Sequence, residues 1–233
     1  MKARVRPLFR NVLFACGAAA ACLMFVSGCE MLRPAASATP PGFYTLDSAP
    51  IAARAVSRES PVAAPTLVVS VPRAAPGFDS QRIIYVRQPH QLEYFAHSEW
   101  IDTPARMLAP LLVSAIESGS AFRAVVLAPS SASGDLRLDT EVLQLQHEFA
   151  ETPSRVRFML RAHLVDASRR VIASRDFEAV ALADSDDPYA GVAAANQAVR
   201  TVLEKLSAFC ADAVARGLWQ RGGEVGKPSS KPY

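Results

Sequence analysis

Cysteine is scarce in this chain. Four in 233 residues are too few for a small scaffold held by disulfides. An excess of one charge is lacking too: 25 Lys+Arg stand against 22 Asp+Glu, and four of the basic residues (Lys2, Arg4, Arg6 and Arg10) lie in the first ten positions. Beyond residue 28, 21 basic residues face 22 acidic ones. That balance gives no electrostatic basis for binding a phosphate backbone, so nucleic acid is not expected as a partner. The phosphate-cradling glycine loop, the G-x-S-x-G elbow and the C-x-x-C pair are all missing, which removes the commonest sequence signs of nucleotide, acyl-transfer and dithiol chemistry. What the chain does have is 50% hydrophobic residues with 20% charged. That is too apolar for a disordered chain and enough for one packed core.

The amino terminus is the most specific segment. A basic start leads into Val12 to Val26, 15 residues without a charge. A membrane-crossing helix needs about 20 apolar residues, so this run fits the apolar region of a secretory signal better than a permanent span. Val26-Ser27-Gly28-Cys29 follows and resembles the lipobox of bacterial lipoproteins. That resemblance implies a signal peptide over 1–28 and a mature chain beginning at Cys29, as N-palmitoyl and S-diacylglycerol cysteine. Two or more acyl chains hold stably on a membrane at ~0.8 kcal/mol per buried CH₂, where one holds marginally. Glu30 follows where an aspartate would retain a Gram-negative lipoprotein in the inner membrane, so the expected site is the periplasmic face of the outer membrane. Cys16 and Cys22 would leave with the signal. The remaining thiol, Cys210, lies on an apolar helix face and reads as a small buried hydrophobe.

The mature chain divides by composition. Residues 29–42, with E-M-L-R-P-A-A-S-A-T-P-P-G after the cysteine, are the lipidated end and a Pro-rich tether. Residues 43–217 carry the periodic patterns, and 218–233 read as a flexible tail. Strands are expected at Phe43–Leu46, Thr66–Val71, Arg82–Arg87, Gln91–His97 and Phe122–Leu127, with a loop over 48–66 and a turn over Pro72–Asp79. A helix capped by Thr103, with Pro104 in its first turn, carries Met107, Leu108, Leu111, Leu112, Ala115 and Ile116 on one stripe. Pro110 should kink or interrupt it and Gly119 should end it.

Leu136, Leu138, Thr140 and Val142 then alternate with polar residues. The phase slips to Leu143, Leu145, His147 and Phe149, which predicts a bulge near Val142. Val156 to Leu164 and Val171 to Leu182 continue as two more strands, and Asp186 or Asp187 caps a last helix with an apolar face from Val192 to Ala213. The fold class expected is α/β (α+β): a mostly antiparallel sheet with a three-stranded meander, packed by two main helices.

Candidate chemistry is thin. His147 and His163 sit on neighbouring predicted strands and could meet, though a structural polar pair is the commoner outcome. His97-Ser98-Glu99 has the H-x-E order of zinc deaminases without their cysteines. No catalytic residue, metal ligand or cofactor is therefore assigned. Arg155, Arg157 and Arg161 form a basic row that Glu148, Glu151 and Asp166 can balance. Tyr94, Phe95 and Trp100 read first as core, and are also the candidate contact surface for a partner protein.

The ordered set of lipobox, Phe43-Tyr44-Thr45-Leu46, Ile84-Tyr85-Val86-Arg87 to Leu92-Glu93-Tyr94-Phe95, Trp100, Pro104 with its apolar helix, three strands and a long last helix resembles the ABC-type transport auxiliary lipoprotein family. That family includes the lipoprotein of the paraquat-inducible intermembrane transport system. The resemblance spans roughly Phe43 to Ala215. It implies a non-enzymatic periplasmic domain beside an ABC transporter and an MCE (mammalian cell entry) protein, moving lipid between membranes, with homo-oligomerisation open. An envelope structural or assembly lipoprotein without a transport role, and a lipid-tethered hydrolase, are the alternatives.

Overall fold

Period-two burial organises the structure, a computed structural model that describes residues 40–47 and 64–220. Its strands are β1 (Gly42–Tyr44), β2 (Thr66–Val69), β3 (Arg73–Ala74), β4 (Arg82–Val86), β5 (Glu93–Trp100), β6 (Ala124–Leu127), β7 (Leu136–Glu148), β8 (Arg155–Asp166) and β9 (Val171–Leu182). Its helices are α1 (Pro104–Ser118) and α2 (Pro188–Ala215). Among the described residues this is a mixed α+β fold with nine strands in one open sheet.

β7 is the axis of the sheet. β8 pairs antiparallel along its whole length on one edge, and β9 pairs antiparallel with β8. Along the other edge, β2, β3 and β4 follow one another in parallel: Leu67–Val69 beside Leu136–Leu138, Arg73–Ala74 beside Glu141–Val142, Tyr85–Val86 beside His147–Glu148. β6 joins β2 in parallel; β5 joins β4 antiparallel, and β1 lies parallel to β5. The sheet is therefore mixed, with antiparallel pairs β4–β5, β7–β8 and β8–β9 and parallel pairs elsewhere. Parallel neighbours come from chain segments far apart in sequence and need a long return path, which α1 supplies between β5 and β6.

The bulge sits at Leu143. Val142 faces Leu160 and Gln144 faces Met159, leaving Leu143 without its own partner. The extra residue flips the buried phase from Leu136, Leu138, Thr140 and Val142 to Leu145 and His147. On β8, Val156, Phe158, Leu160, Ala162 and Leu164 are all buried. Both helices pack on this face of the sheet, and α2 buries Val192, Ala195, Val199, Val202, Leu203, Leu206, Phe209, Cys210 and Ala213. Burial pushes the Cys210 thiol up to about 12, consistent with an inert core residue.

The helix ends differ from expectation in two ways. The Thr103 side chain makes no capping bond; Asp102 Oδ1 instead accepts from the Thr103 N–H at 2.7 Å. Pro110 does not interrupt α1, which runs through it to Ser118. Pro110 is on the exposed side, where solvent can reach the carbonyl that a proline leaves unpaired. At α2, Asp187 is the cap: its Oδ1 accepts from the Ala190 N–H at 3.0 Å, with Pro188 at the first position. After α2, Gly217 adopts φ +65, and Leu218 and Trp219 pack on the core. The remainder of the expected tail, 221–233, lies outside the described residues.

Candidate functional site

Cys29, the expected signal peptide and most of the expected tether (residues 1–39), and the expected loop over 48–63, lie outside the described residues. The sites that can be built from geometry lie on the sheet and its hairpin.

The aromatic trio does not form one surface. Trp100 is 3% exposed and belongs to the core, which corrects its candidacy as a partner contact. Phe95 is half-buried; its ring lies 4.7 Å from that of Tyr85 and 6.4 Å from that of Phe149. Tyr94 is 39% exposed, with the Arg82 guanidinium 4.7 Å from its ring centre. β5 causes this split: neighbouring residues point to opposite faces, so Tyr94 and Phe95 cannot both face outward. Phe43 and Ile101, each 62% exposed, flank Tyr44, whose carbonyl accepts from the Ile101 N–H at 2.7 Å. Phe43 was visible in the sequence only within Phe43-Tyr44-Thr45-Leu46, and Ile101 not at all, because single exposed apolar residues carry no pattern.

The sheet face away from the helices is polar, and its basic row is neutralised. Arg155 Nε and Arg157 Nε each donate to Glu148, at 2.9 and 2.8 Å, and Arg155 Nη1 donates to Glu151 at 3.0 Å. Arg157 also pairs with Glu178. Arg161 grips both oxygens of Asp176 at 2.8 Å, and Arg170 holds Asp166. Asp176 and Glu178 are the partners missed in the sequence; Asp176 faces Arg161 directly in the β8–β9 register, and Glu178 faces Met159, one step from Arg157. Burial alone would raise the Glu148 carboxyl, but hydrogen bonds from Arg157, Arg155 and Gln146 outweigh it and hold its pKa at about 2. A carboxyl depressed in the fold contributes stability above its ordinary value, lost as pH falls through the folded one. Glu148→Gln is therefore expected to flatten the fall in melting temperature between about pH 4.5 and about pH 2. An unchanged acid limb would remove Glu148 as its source.

His147 and His163 do not meet. His163 faces Asp139 across the β7–β8 pair, while His147 faces Val156 at the other end. His163 bonds Ser174 at 2.9 Å near solvent. Among the described residues no group of three His, Cys, Asp or Glu is placed to hold a metal ion. His147 is instead buried under the start of α2. Its Nε2 lies 2.9 Å from Ser154 Oγ, and its ring packs 4.2 Å from Phe149. Its Nδ1 has no hydrogen-bond partner among the described residues. The pair has the atoms of a base and a nucleophile, but Ser154 is 1% exposed, so no substrate reaches that hydroxyl in this conformation. Beside His147 is a cavity of about 10 Å³, lined by Ile83, Trp100, Leu145 and Gly191 among others, room for about one water.

Gly191 completes this site, and its role was not visible in the sequence, where a glycine near a helix start carries no signal. A Cβ there would sit 2.5 Å from His147 Nδ1 and 3.0 Å from Cε1. The ring is buried and bonded to Ser154, so it cannot swing away. Gly191→Ala gains about 1 kcal/mol of helix propensity, but overpacking costs about 1–3 kcal/mol. A net loss of up to about 2 kcal/mol is expected in urea unfolding. A stabilised variant would show that the contact yields.

Two open clefts lie elsewhere: about 470 Å³ between the β4–β5 hairpin and the ends of β7 and β8, lined by Arg87, Leu92, Arg155 and others, and about 930 Å³ beside the 128–134 loop and the β8–β9 turn. Among the described residues no helix is long and apolar enough to cross a membrane.

A family model described as ABC-type transport auxiliary lipoprotein component matches residues 44–207. No curated protein matches the chain in sequence. Among solved structures, protein XCC0632 of Xanthomonas campestris, placed in the DUF330 family, is 24% identical, with a TM-score of 0.65, covering 78% of this chain and 99% of its own. An uncharacterised protein is 15% identical with a TM-score of 0.57, covering 76% and 99%. Lipoprotein GNA1162 of Neisseria meningitidis is 13% identical with a TM-score of 0.35, covering 65% and 98%. The first two share the fold.

Proposed function

This chain belongs to the family of ABC-type transport auxiliary lipoprotein components, and from that premise we propose that it is the lipid-anchored accessory subunit of an ABC/MCE-type intermembrane lipid transport system. It docks or scaffolds that system at the periplasmic face of the outer membrane and performs no catalysis. The single observation that carries this reading is the family match from Tyr44 in β1 to Ser207 in α2, which takes in nearly the whole described fold.

The parts have a simple mechanical logic. Acyl chains on Cys29 hold the chain on the leaflet. The Pro-rich sequence of residues 30–42 suits a spacer between lipid and domain. The neutralised sheet face makes a poor electrostatic lure, so contact with an MCE-domain protein or a transporter component would rest on the apolar residues that stay exposed: Tyr94 and Leu92 on the hairpin, Phe43 and Ile101 beside β1, and Val180 and Leu182 on β9. β9 pairs only with β8 among the described strands, and a free strand edge is a template for pairing, including with a second copy.

Isolation from native membranes tests the reading. An MCE-domain protein and transporter subunits should come down with the tagged chain and be lost when Tyr94 and Leu92 are both replaced by Ser. Clean recovery with neither component would contradict the transport role and favour a structural envelope lipoprotein.

A further inference from the structure

His147 is a buried titratable ring at a joint between elements. It lies on β7. Ser154, from the turn before β8, meets its Nε2. Phe149 stacks at 4.2 Å, and Phe95 of β5 lies 6.3 Å away. Gly191, in the first turn of α2, lies against its Nδ1. Asp186 and Asp187, just before α2, are the charged groups whose field reaches the ring, and Asp187 is already committed to the Ala190 N–H. Glu148 and Arg155 neighbour it in the β7–β8 ladder but pair with each other on the opposite face of the sheet.

Adding a proton to this ring has a specific local cost. In the neutral ring, Nε2–H can donate to Ser154 Oγ while Nδ1 carries only a lone pair. The cation carries N–H on both nitrogens, and Nδ1–H would point at Gly191, where no described residue accepts it and the cavity beside it has room for about one water. A buried donor without an acceptor costs more than its bond is worth. The α2 amino terminus, the positive end of the helix dipole, adds to the penalty. Asp186 and Asp187 oppose it.

We infer that His147, Ser154 and the first turn of α2 form an acid-sensitive latch: a proton on His147 loosens Pro188–Ala194 and the 149–154 turn while the rest of the sheet and α2 stay folded. This goes beyond the transport role and does not depend on it. The direction follows from burial, which outweighs the two aspartates and lowers the ring's pKa below its ordinary value. A histidine lowered in the fold leaves the closed form intact above the ordinary value, about 6.5, and loses it as pH falls below that.

Hydrogen exchange on the mature lipidated protein in detergent micelles, at about pH 7.5 and about pH 5 and corrected for intrinsic rates, reads the latch. Protection of the amides of Gly191–Ala195 should fall at about pH 5 while that of Val202–Leu206 holds. His147→Gln keeps a donor near Ser154 and cannot titrate, so it should abolish the difference. Should that variant not fold, the NMR titration of the wild-type ring decides: it should titrate below about 6.5, with the Gly191 amide moving at the same midpoint. A uniform loss along α2, the same loss in His147→Gln, or a ring titrating at its ordinary value would each overturn the latch.

Discussion

Replacing residues 1–29 with an ordinary cleavable leader that leaves no cysteine is expected to move the protein from the membrane fraction to the soluble periplasmic fraction almost completely. Even a single acyl chain contributes a membrane association constant of about 10⁴ M⁻¹, and two or more make attachment stable. Nothing in the described residues replaces that: no helix there is long and apolar enough to cross a membrane, and the basic row is paired with acids. Cys29→Ala in the native sequence differs, because a lipoprotein leader without its cysteine stays uncut and its apolar run, Val12 to Val26, still holds the chain. Fractionation with both versions separates lipid from leader. A leader-swapped chain still on membranes after a high-salt wash would mean that the domain itself binds the surface.

Phe158→Ala should be the most damaging single change in the described fold. Phe158 is fully buried in the first half of β8, facing Leu145 on β7 and Ala179 on β9 across the ladders. Its ring fills the space under α2, and close-packed neighbours do not close such a gap. Truncating a buried phenylalanine costs about 3–5 kcal/mol, a large share of the ~5–15 kcal/mol by which a domain is stable. Val180→Ala, one register along and 45% exposed on the other face, should change stability by less than about 0.5 kcal/mol. Urea unfolding of the two variants measures the contrast. Equal effects would mean that the two faces of β9 and β8 are assigned the wrong way round.

These two residues also mark what a sequence can reveal. Alternation on β7 and β8 located Phe158, and the slip after Val142 located the bulge at Leu143, because a strand's side-chain period is a local property. The α2 face from Val192 to Ala213 was legible for the same reason at period 3.6. Partnership was not. Thr66–Val69, Arg73–Ala74 and Arg82–Val86 lie in file along one edge of β7, and no periodicity tells a strand which neighbour it will find. The site suffered likewise. His147 was assigned its strand but not its partners, since Ser154 and Gly191 reach it only through the fold. Trp100 was grouped with Tyr94 by proximity in sequence, yet it lies inside the core.

The most direct measurement is the intact mass of the protein purified from its native membranes. The account predicts a chain that begins at Cys29 and carries a thioether-linked diacylglycerol and an amide-linked acyl group. A chain that retains residues 1–28, or that begins beyond them with an unmodified sulfur, would contradict it.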